Sequence, residues 1–317
     1  MPYPHETEHQ IRVRADADTV FGLLADVSRW PLIFPPTVHA EQIEREGDTE
    51  RIRIWATAND KVKGWISRRT LDRSGLRIRF RQEASQAPVA GMGGTWLIEP
   101  VTDDEVRVRL LHDFRAVGDS AENIAWIEQA IDRNSDAELA ALKRAAESAG
   151  EAHELELSFS DAVRIAGPAE AVYDFINEAD RWQERLPHVT GVDLTEEVPG
   201  VQMLTMETRT ADGNSHTTTS VRVCRPSSQI LYKQLKTPAL MAVHTGEWRL
   251  EEDQGSTLAT SFHTVVVKPE AIADILGPQA TVGDARTYLR DALGRNSTAT
   301  LRHAKAYAEA SVTSRLP

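Results

Sequence analysis

The chain repeats itself once, and this duplication limits its fold more than any other feature. Val163-Arg164-Ile165 answers Ile11-Arg12-Val13, and Ala171-Val172-Tyr173-Asp174-Phe175-Ile176 answers Thr19-Val20-Phe21-Gly22-Leu23-Leu24. Asp180-Arg181-Trp182 and Leu186-Pro187 answer Ser28-Arg29-Trp30 and Phe34-Pro35, with Trp182 lying 152 positions after Trp30. The same offset joins Tyr232 to Phe80 and Gly246-Glu247-Trp248 to Gly94-Thr95-Trp96. Arg295-Asn296-Ser297 answers Arg133-Asn134-Ser135 at an offset of 162, so the second half carries ten more residues before its last helix, expected as a loop from Lys268 to Pro278. A unit this long is a globular domain and not a solenoid repeat. The expected boundary lies near Ala149-Gly150-Glu151, giving domains 1–150 and 151–317.

Within the first unit the pattern predicts a strand over His9–Arg14 and then a helix with Val20, Phe21, Leu24 and Val27 at helical spacing, capped from Ala15-Asp16-Ala17-Asp18. The prolines of Trp30-Pro31-Leu32-Ile33-Phe34-Pro35-Pro36 break that helix into a short turn. Six strand-like runs follow, over Val38–Glu46, Thr49–Ala58, Lys61–Asp72, Leu76–Glu83, Val89–Pro100 and Glu105–Ala116. A long helix, Ser120–Ala149, closes the unit with Ser120 as its N-cap and an apolar stripe of Ile124, Ile127, Ile131, Leu142 and Ala145. The fold class is therefore α+β: two tandem domains, each a curved seven-stranded antiparallel sheet wrapped around one long C-terminal helix, with two short helices. A curved sheet closed by a single helix leaves a cavity between them, a common setting for a ligand site.

A net charge of −12 argues against a nucleic-acid binder, which needs clustered Lys and Arg to neutralise phosphates. The single cysteine, Cys224, excludes an intramolecular disulfide and fits a reducing cytoplasm. No Cys/His cluster points to a metal, no apolar run is long enough for a membrane span, and Met1-Pro2-Tyr3-Pro4-His5-Glu6 does not read as a signal peptide. The alternating strands Arg51-Ile52-Arg53-Ile54 and Arg77-Ile78-Arg79-Phe80-Arg81 read as the solvated face of a one-sided sheet, with docking of an acidic partner the lesser alternative.

The strand Lys61–Asp72 places Trp65, Ser67, Arg69 and Leu71 on one face, which its apolar members turn inward. An inward arginine stays charged, so Arg69 either pairs with a buried carboxylate or meets a ligand oxygen. His112 shares its parity with Leu110 and Phe114 and is expected on an inward face. Glu138, seven residues past Ile131, returns to within about 20° of it on the helix, at the centre of the apolar stripe. A carboxylate there needs a partner, for which Arg69 or His112 would serve. Asn134 and Ser135 lie at the edges of the stripe.

The order of elements, with Trp30-Pro31-Leu32-Ile33-Phe34, Trp65-Ile66-Ser67-Arg68-Arg69, Met92-Gly93-Gly94-Thr95-Trp96 and His112-Asp113-Phe114, resembles the aromatase/cyclases of bacterial type II polyketide synthases. These belong to the helix-grip fold of the Bet v 1/START-like superfamily, and two tandem copies resemble their di-domain class. The resemblance implies an enzyme that receives a poly-β-ketone on an acyl carrier protein, alongside the other type II synthase components. It would direct the first-ring aldol closure, between carbons 7 and 12 of a ketoreduced chain, and dehydrate the ring to an aromatic. No metal or organic cofactor is implied.

Under that resemblance Arg69, His112 and Glu138 are the expected catalytic residues: Arg69 holds the enolate, His112 exchanges protons, and Glu138 orients the imidazole or balances the guanidinium. Trp30, Phe34, Trp65, Ser67, Met92, Trp96 and Asn134 are the expected substrate contacts. An offset of 152 places Thr217, Thr219 and Val221 opposite Trp65, Ser67 and Arg69, and an offset of 162 places Thr300 opposite Glu138; His263 meets His112 only with a one-residue shift. The second half is therefore expected to lose the charged set and serve as a structural or assisting domain with a shrunken cavity, in which Trp182, Trp248 and His244 are what remains of a pocket. The competing functions are a non-catalytic binding module for a hydrophobic ligand or polyketide, which needs no charged trio, and an interaction protein with a filled core.

Overall fold

The computed structural model describes residues 4–150, 152–209 and 215–313. The chain divides into two compact units, Met1–Ala152 and His153–Pro317; Glu151, within the expected boundary, lies outside the described residues.

The first unit runs β1 (His5–Val13), α1 (Ala17–Ala25), a 3-10 turn (Val27–Arg29), α2 (Trp30–Ile33), then β2 (Thr37–Glu46), β3 (Thr49–Ala58), β4 (Lys61–Asp72), β5 (Arg77–Ala84), β6 (Val89–Pro100), β7 (Val106–Ala116) and α3 (Ala121–Glu147). Its sheet is an antiparallel meander from β2 to β7, with β1 returning to pair with β7. Asp16 starts α1 by accepting a hydrogen bond from Thr19 N at 2.7 Å. Ser120 starts α3 in the same way, through Asn123 N. Asn59 and Asp60 both adopt positive φ, the conformation that a two-residue hairpin loop demands, and thereby fix the β3–β4 register.

Beyond shifts of one or two residues at element ends, the structure differs from the sequence reading chiefly in three places. β1 begins at His5, four residues before the expected start, because it pairs with β7 along its whole length. The proline-rich segment is helical, since Pro31 sits in the first turn of α2, where its missing N–H is not needed. In the second unit, Lys268–Pro278 is not a plain loop: it contains a 3-10 turn (Pro269–Ala271) and a short helix whose Ile272 packs with Leu240, Met241 and Leu289.

The second unit repeats the plan as α4 (Ala152–Leu155), β8 (Glu156–Ile165), α5 (Ala169–Asn177), α6 (Trp182–Arg185), β9 (Val189–Val198), β10 (Val201–Arg209), β11 (Ser215–Arg225), β12 (Gln229–Lys236), β13 (Met241–Asp253), β14 (Ser256–Val267), α7 (Ile272–Leu276) and α8 (Val282–Thr313). Its strand order is that of the first sheet. No helix among the described residues is long and apolar enough to cross a membrane.

The packing of α3 positions the site. Toward its C-terminal end, Leu139, Leu142 and Ala146 join a core with α1, Val108 and Ile78. Toward its N-terminal end, Ile127 and Ile131 form a separate cluster with Phe114 and Ala116. Asn134, Ser135 and Glu138 lie on the stretch between these contacts, where the sheet stands away from the helix.

Candidate active site

A cavity of about 860 Å³, counting its mouth, opens between α3 and the sheet and continues inward toward Arg69. Every residue expected from the sequence lines it. Trp30, Trp65, Met92 and Asn134 surround the outer part, and Phe34, Ser67, Trp96 and Arg69 line the inner part. His112 and Glu138 border both. Asn134 is held in place by donating Nδ2–H to Thr57 O at 2.9 Å.

Arg69 is 1 % exposed, and its partners are structural. Nε donates to Glu50 Oε1 at 2.9 Å, and Nη2 donates to the same oxygen. Nη1 and Nη2 also donate to Leu24 O at 2.9 Å and Ala25 O at 2.7 Å, the final carbonyls of α1, and the guanidinium lies over the Trp30 ring at 5.0 Å. A cation at this end of a helix satisfies carbonyls that have no intrahelical donor. Of the two readings open in the sequence, the geometry matches the buried carboxylate. The expected pairing of Arg69 with Glu138 is corrected: the carboxylate is Glu50, and the charge intended for an enolate is already balanced. Burial lowers the pKa of Arg69, and Glu50 opposes that shift.

Glu138 has no hydrogen-bond or ionic partner among the described residues, and its remaining exposure is to the cavity. Burial pushes its carboxyl up to about 8, so it is protonated at neutral pH. Burial pushes His112 down to about 4, helped by the nearby His9 and opposed by Asp113, so its imidazole is neutral. Its Nδ1 is buried without a partner. The Phe80 ring stands edge-on to the imidazole at 5.5 Å. That ring crosses the sheet over Gly94, where any Cβ would lie 2.5 Å from Phe80 Cζ and 2.1 Å from Leu111 O. The expected charged trio is therefore one neutralised guanidinium, one neutral carboxylic acid and one neutral imidazole. Together they can donate and accept a proton inside an aromatic-walled chamber.

Among the residues that escaped the sequence reading, Glu50 and Gln82 matter most to the inner part of the site. Glu50 pairs with Arg69 directly across the β3–β4 ladder, a register that follows from counting back from the Asn59-Asp60 turn. Gln82 lines the cavity two residues from Phe80, between the outward Arg81 and Glu83; its Oε1 accepts from Ser85 Oγ at 2.6 Å. On the outer face arginines are paired, Arg51 and Arg68 with Glu83 and Arg81 with Asp113, which suits a solvated sheet surface.

The expectation that the second half loses the charged set is corrected in part: Thr300 does stand in place of Glu138, but the arginine and the histidine are kept. In the ladders, Arg222 lies opposite Gln202 and Tyr232, as Arg69 lies opposite Glu50 and Phe80. Arg222, and not Val221, is the counterpart of Arg69. The ladders on either side of the β10–β11 connection, residues 210–214, which lie outside the described residues, require one residue more than in the first unit and shift the offset from 152 to 153. Arg222 is 2 % exposed and repeats the helix-capping role, donating Nη2–H to Ile176 O at 2.6 Å beneath Trp182. His263 lies opposite Gly246 as His112 lies opposite Gly94, one residue having been lost between β13 and β14. The second cavity is not shrunken: it also encloses about 860 Å³ with its mouth, and Trp182, Trp248, His244 and Thr300 line it.

Comparison with known proteins agrees with this architecture. Residues 4–147 and 165–284 each match a family model described as polyketide cyclase / dehydrase and lipid transport. The chain is 46% identical to the granaticin polyketide synthase bifunctional cyclase/dehydratase of Streptomyces violaceoruber, covering 96% of this chain and 94% of that protein. It is 47% identical to the actinorhodin polyketide synthase bifunctional cyclase/dehydratase of Streptomyces coelicolor, covering 97% and 98%. Among solved structures, the di-domain ARO/CYC BexL from the BE-7585A biosynthetic pathway superposes with a TM-score of 0.84 at 54% identity, covering 96% of this chain and 99% of that one. The di-domain ARO/CYC StfQ from the steffimycin pathway gives 0.83 at 35% identity, covering 97% and 99%.

Proposed function

Since the chain belongs to the polyketide cyclase/dehydrase and lipid transport family, and is a polyketide cyclase/dehydratase of the type II synthase kind, we propose that its chemistry runs on Glu138 and His112 in the first cavity. The substrate is a poly-β-ketone tethered to an acyl carrier protein, and the ring closes between carbons 7 and 12 of a ketoreduced chain. The di-domain resemblance supports both of these points.

The observation that carries the mechanism is Glu138: a carboxyl without a partner, kept protonated by burial, in the same cavity as a free-base imidazole. In aldol closure, His112 takes a proton from a methylene flanked by two ketones, and Glu138 gives one to the ketone oxygen that becomes a hydroxyl. In dehydration, His112 takes the next ring proton while Glu138 protonates the departing hydroxyl, which leaves as water. Each step moves one proton in and one out, so the apolar cavity gains no net charge. Between steps the proton returns from imidazolium to carboxylate. Trp30, Trp65, Met92 and Trp96 hold the flat ring and exclude water. Arg69 is a positioning residue that fixes the cavity floor to α1. A non-catalytic carrier of hydrophobic ligands would have no use for an unpaired buried carboxyl, which weakens the fold at neutral pH.

The test is product analysis of a minimal type II synthase supplemented with the wild type or Glu138→Gln. The variant should fold, bind substrate and yield mainly misclosed or undehydrated products, a loss of about 100-fold or more in correct product for one general acid. An unchanged product ratio would remove Glu138 from the mechanism.

A further inference from the structure

The second cavity has the framework of the first with its charges rearranged. Gln202 occupies the ladder position of Glu50, so Arg222 has no carboxylate partner among the described residues. Its acceptors are the backbone oxygens Ile176 O at 2.6 Å and Asn177 O at 3.4 Å, and its Nε, whose counterpart in Arg69 donates to the carboxylate, has no acceptor among the described residues. Glu196, the acidic side chain felt at this position, is exposed and accepts instead from Gln202 Nε2 at 2.9 Å. Among the described residues no Asp or Glu lines the cavity, and Thr300 replaces Glu138. The imidazoles facing it are all held neutral by burial, His244 at about 3, His263 at about 4, and His188 and His216 also lowered. The Tyr232 phenol is raised and stays protonated. Arg222 is therefore the one formal charge on the cavity wall among the described residues.

Beside it, the polar groups form a fixed chain. Tyr232 Oη lies 3.1 Å from His263 Nδ1, His244 Nε2 lies 3.0 Å from the same nitrogen, and Ser261 Oγ lies 3.0 Å from His263 Nε2. The Tyr232 ring reaches this position over Gly246, where a Cβ would come within 2.3 Å of its hydroxyl. Phe80 offers His112 no such bond. The first cavity thus leaves its imidazole unbound, whereas the second locks its imidazole into a network and leaves its cation without a carboxylate partner among the described residues. A buried cation without a counterion favours an anion. With aromatic walls at Trp182 and Trp248, the fitting anion is flat and apolar with its charge on oxygen.

We propose that the second cavity is a separate binding site for an enolate or phenolate, held through Arg222 and the hydrogen-bond donors of the Tyr232–His263 chain. The choice of an acidic enol or phenol as occupant rests on the polyketide cyclase reading, whose reaction produces such compounds; the preference for an anion rests on Arg222 and Gln202 alone.

The probe is alizarin, a hydroxyanthraquinone whose visible absorption shifts to longer wavelength when a phenolic proton is lost. The full-length protein should bind it with the phenolate spectrum at a pH where free alizarin is largely protonated. Gln202→Glu, which rebuilds the pair seen at Arg69–Glu50 and so should fold, is expected to weaken phenolate binding about tenfold or more by neutralising the cation. Arg222→Lys, with folding checked by circular dichroism, should keep the phenolate spectrum at lower affinity. Binding of the neutral phenol only, absence of binding, or equal phenolate affinity in Gln202→Glu would each overturn the proposal. Failure of the cyclase reading would look different: Glu138→Gln would leave synthase products unchanged while alizarin binding still depended on Gln202.

Discussion

Glu138 and His112 depart from ordinary proton affinities in opposite directions for one reason: burial disfavours the charged form of each. The directions set a pH window. His112 is a free base once the pH is above about 4, and Glu138 keeps its proton until the pH rises through about 8. kcat/KM should therefore be level across the weakly acidic and neutral range and fall on an alkaline limb centred near 8. Steady-state product formation across that range checks this, and a limb of the same position in Glu138→Gln would assign it to another group. Both residues were legible as inward-facing, His112 from strand parity with Leu110 and Phe114 and Glu138 from helical periodicity with Ile131. Their protonation states were not, because each depends on residues distant in sequence that close the cavity. The partner of Arg69 was missed for a different reason. Glu50 was visible in the strand, but its pairing requires counting the ladder back from the Asn59-Asp60 turn.

At the level of elements, the β3–β4 hairpin and α1 are joined through one side chain. Arg69 ties Glu50 of β3 to the last carbonyls of α1, and Trp30 of α2 covers it. Removing one member of a buried ion pair leaves the other charge stranded, at about 3–5 kcal/mol. Glu50→Ala should therefore destabilise the first unit by that amount in chemical denaturation. Glu50→Gln should cost less, because Gln202 already occupies this place beneath Arg222. Equal stability of Glu50→Ala and wild type would show that the pair does not hold the hairpin to the helix. Strands β3, β4 and β6 were legible to their ends because turn residues bound each alternating run. α2 and α7 were not, since a four- or five-residue helix carries too little periodicity to separate it from a turn.

Across the whole molecule, duplication made the fold readable and concealed the second site. Anchors such as Trp30/Trp182 and Gly94/Gly246 share one offset, but single residues gained or lost in hairpin connections move Arg222 and His263 off it. A fixed offset places Val221 against Arg69; only the ladders restore Arg222. The two units then differ at a few positions with large chemical effect: Glu50 against Gln202, Phe80 against Tyr232 and Glu138 against Thr300. The first holds a neutral proton donor and a free base, and the second a bound imidazole and a cation bound, among the described residues, only to backbone carbonyls. Proton transfer between Glu138 and His112 requires Glu138 to carry a proton at neutral pH. Infrared difference spectroscopy of wild type minus Glu138→Gln reads this directly. The predicted result is a protonated-carboxyl band at neutral pH that gives way to carboxylate as the pH rises through about 8; a carboxylate band already present in weakly acidic solution would contradict it.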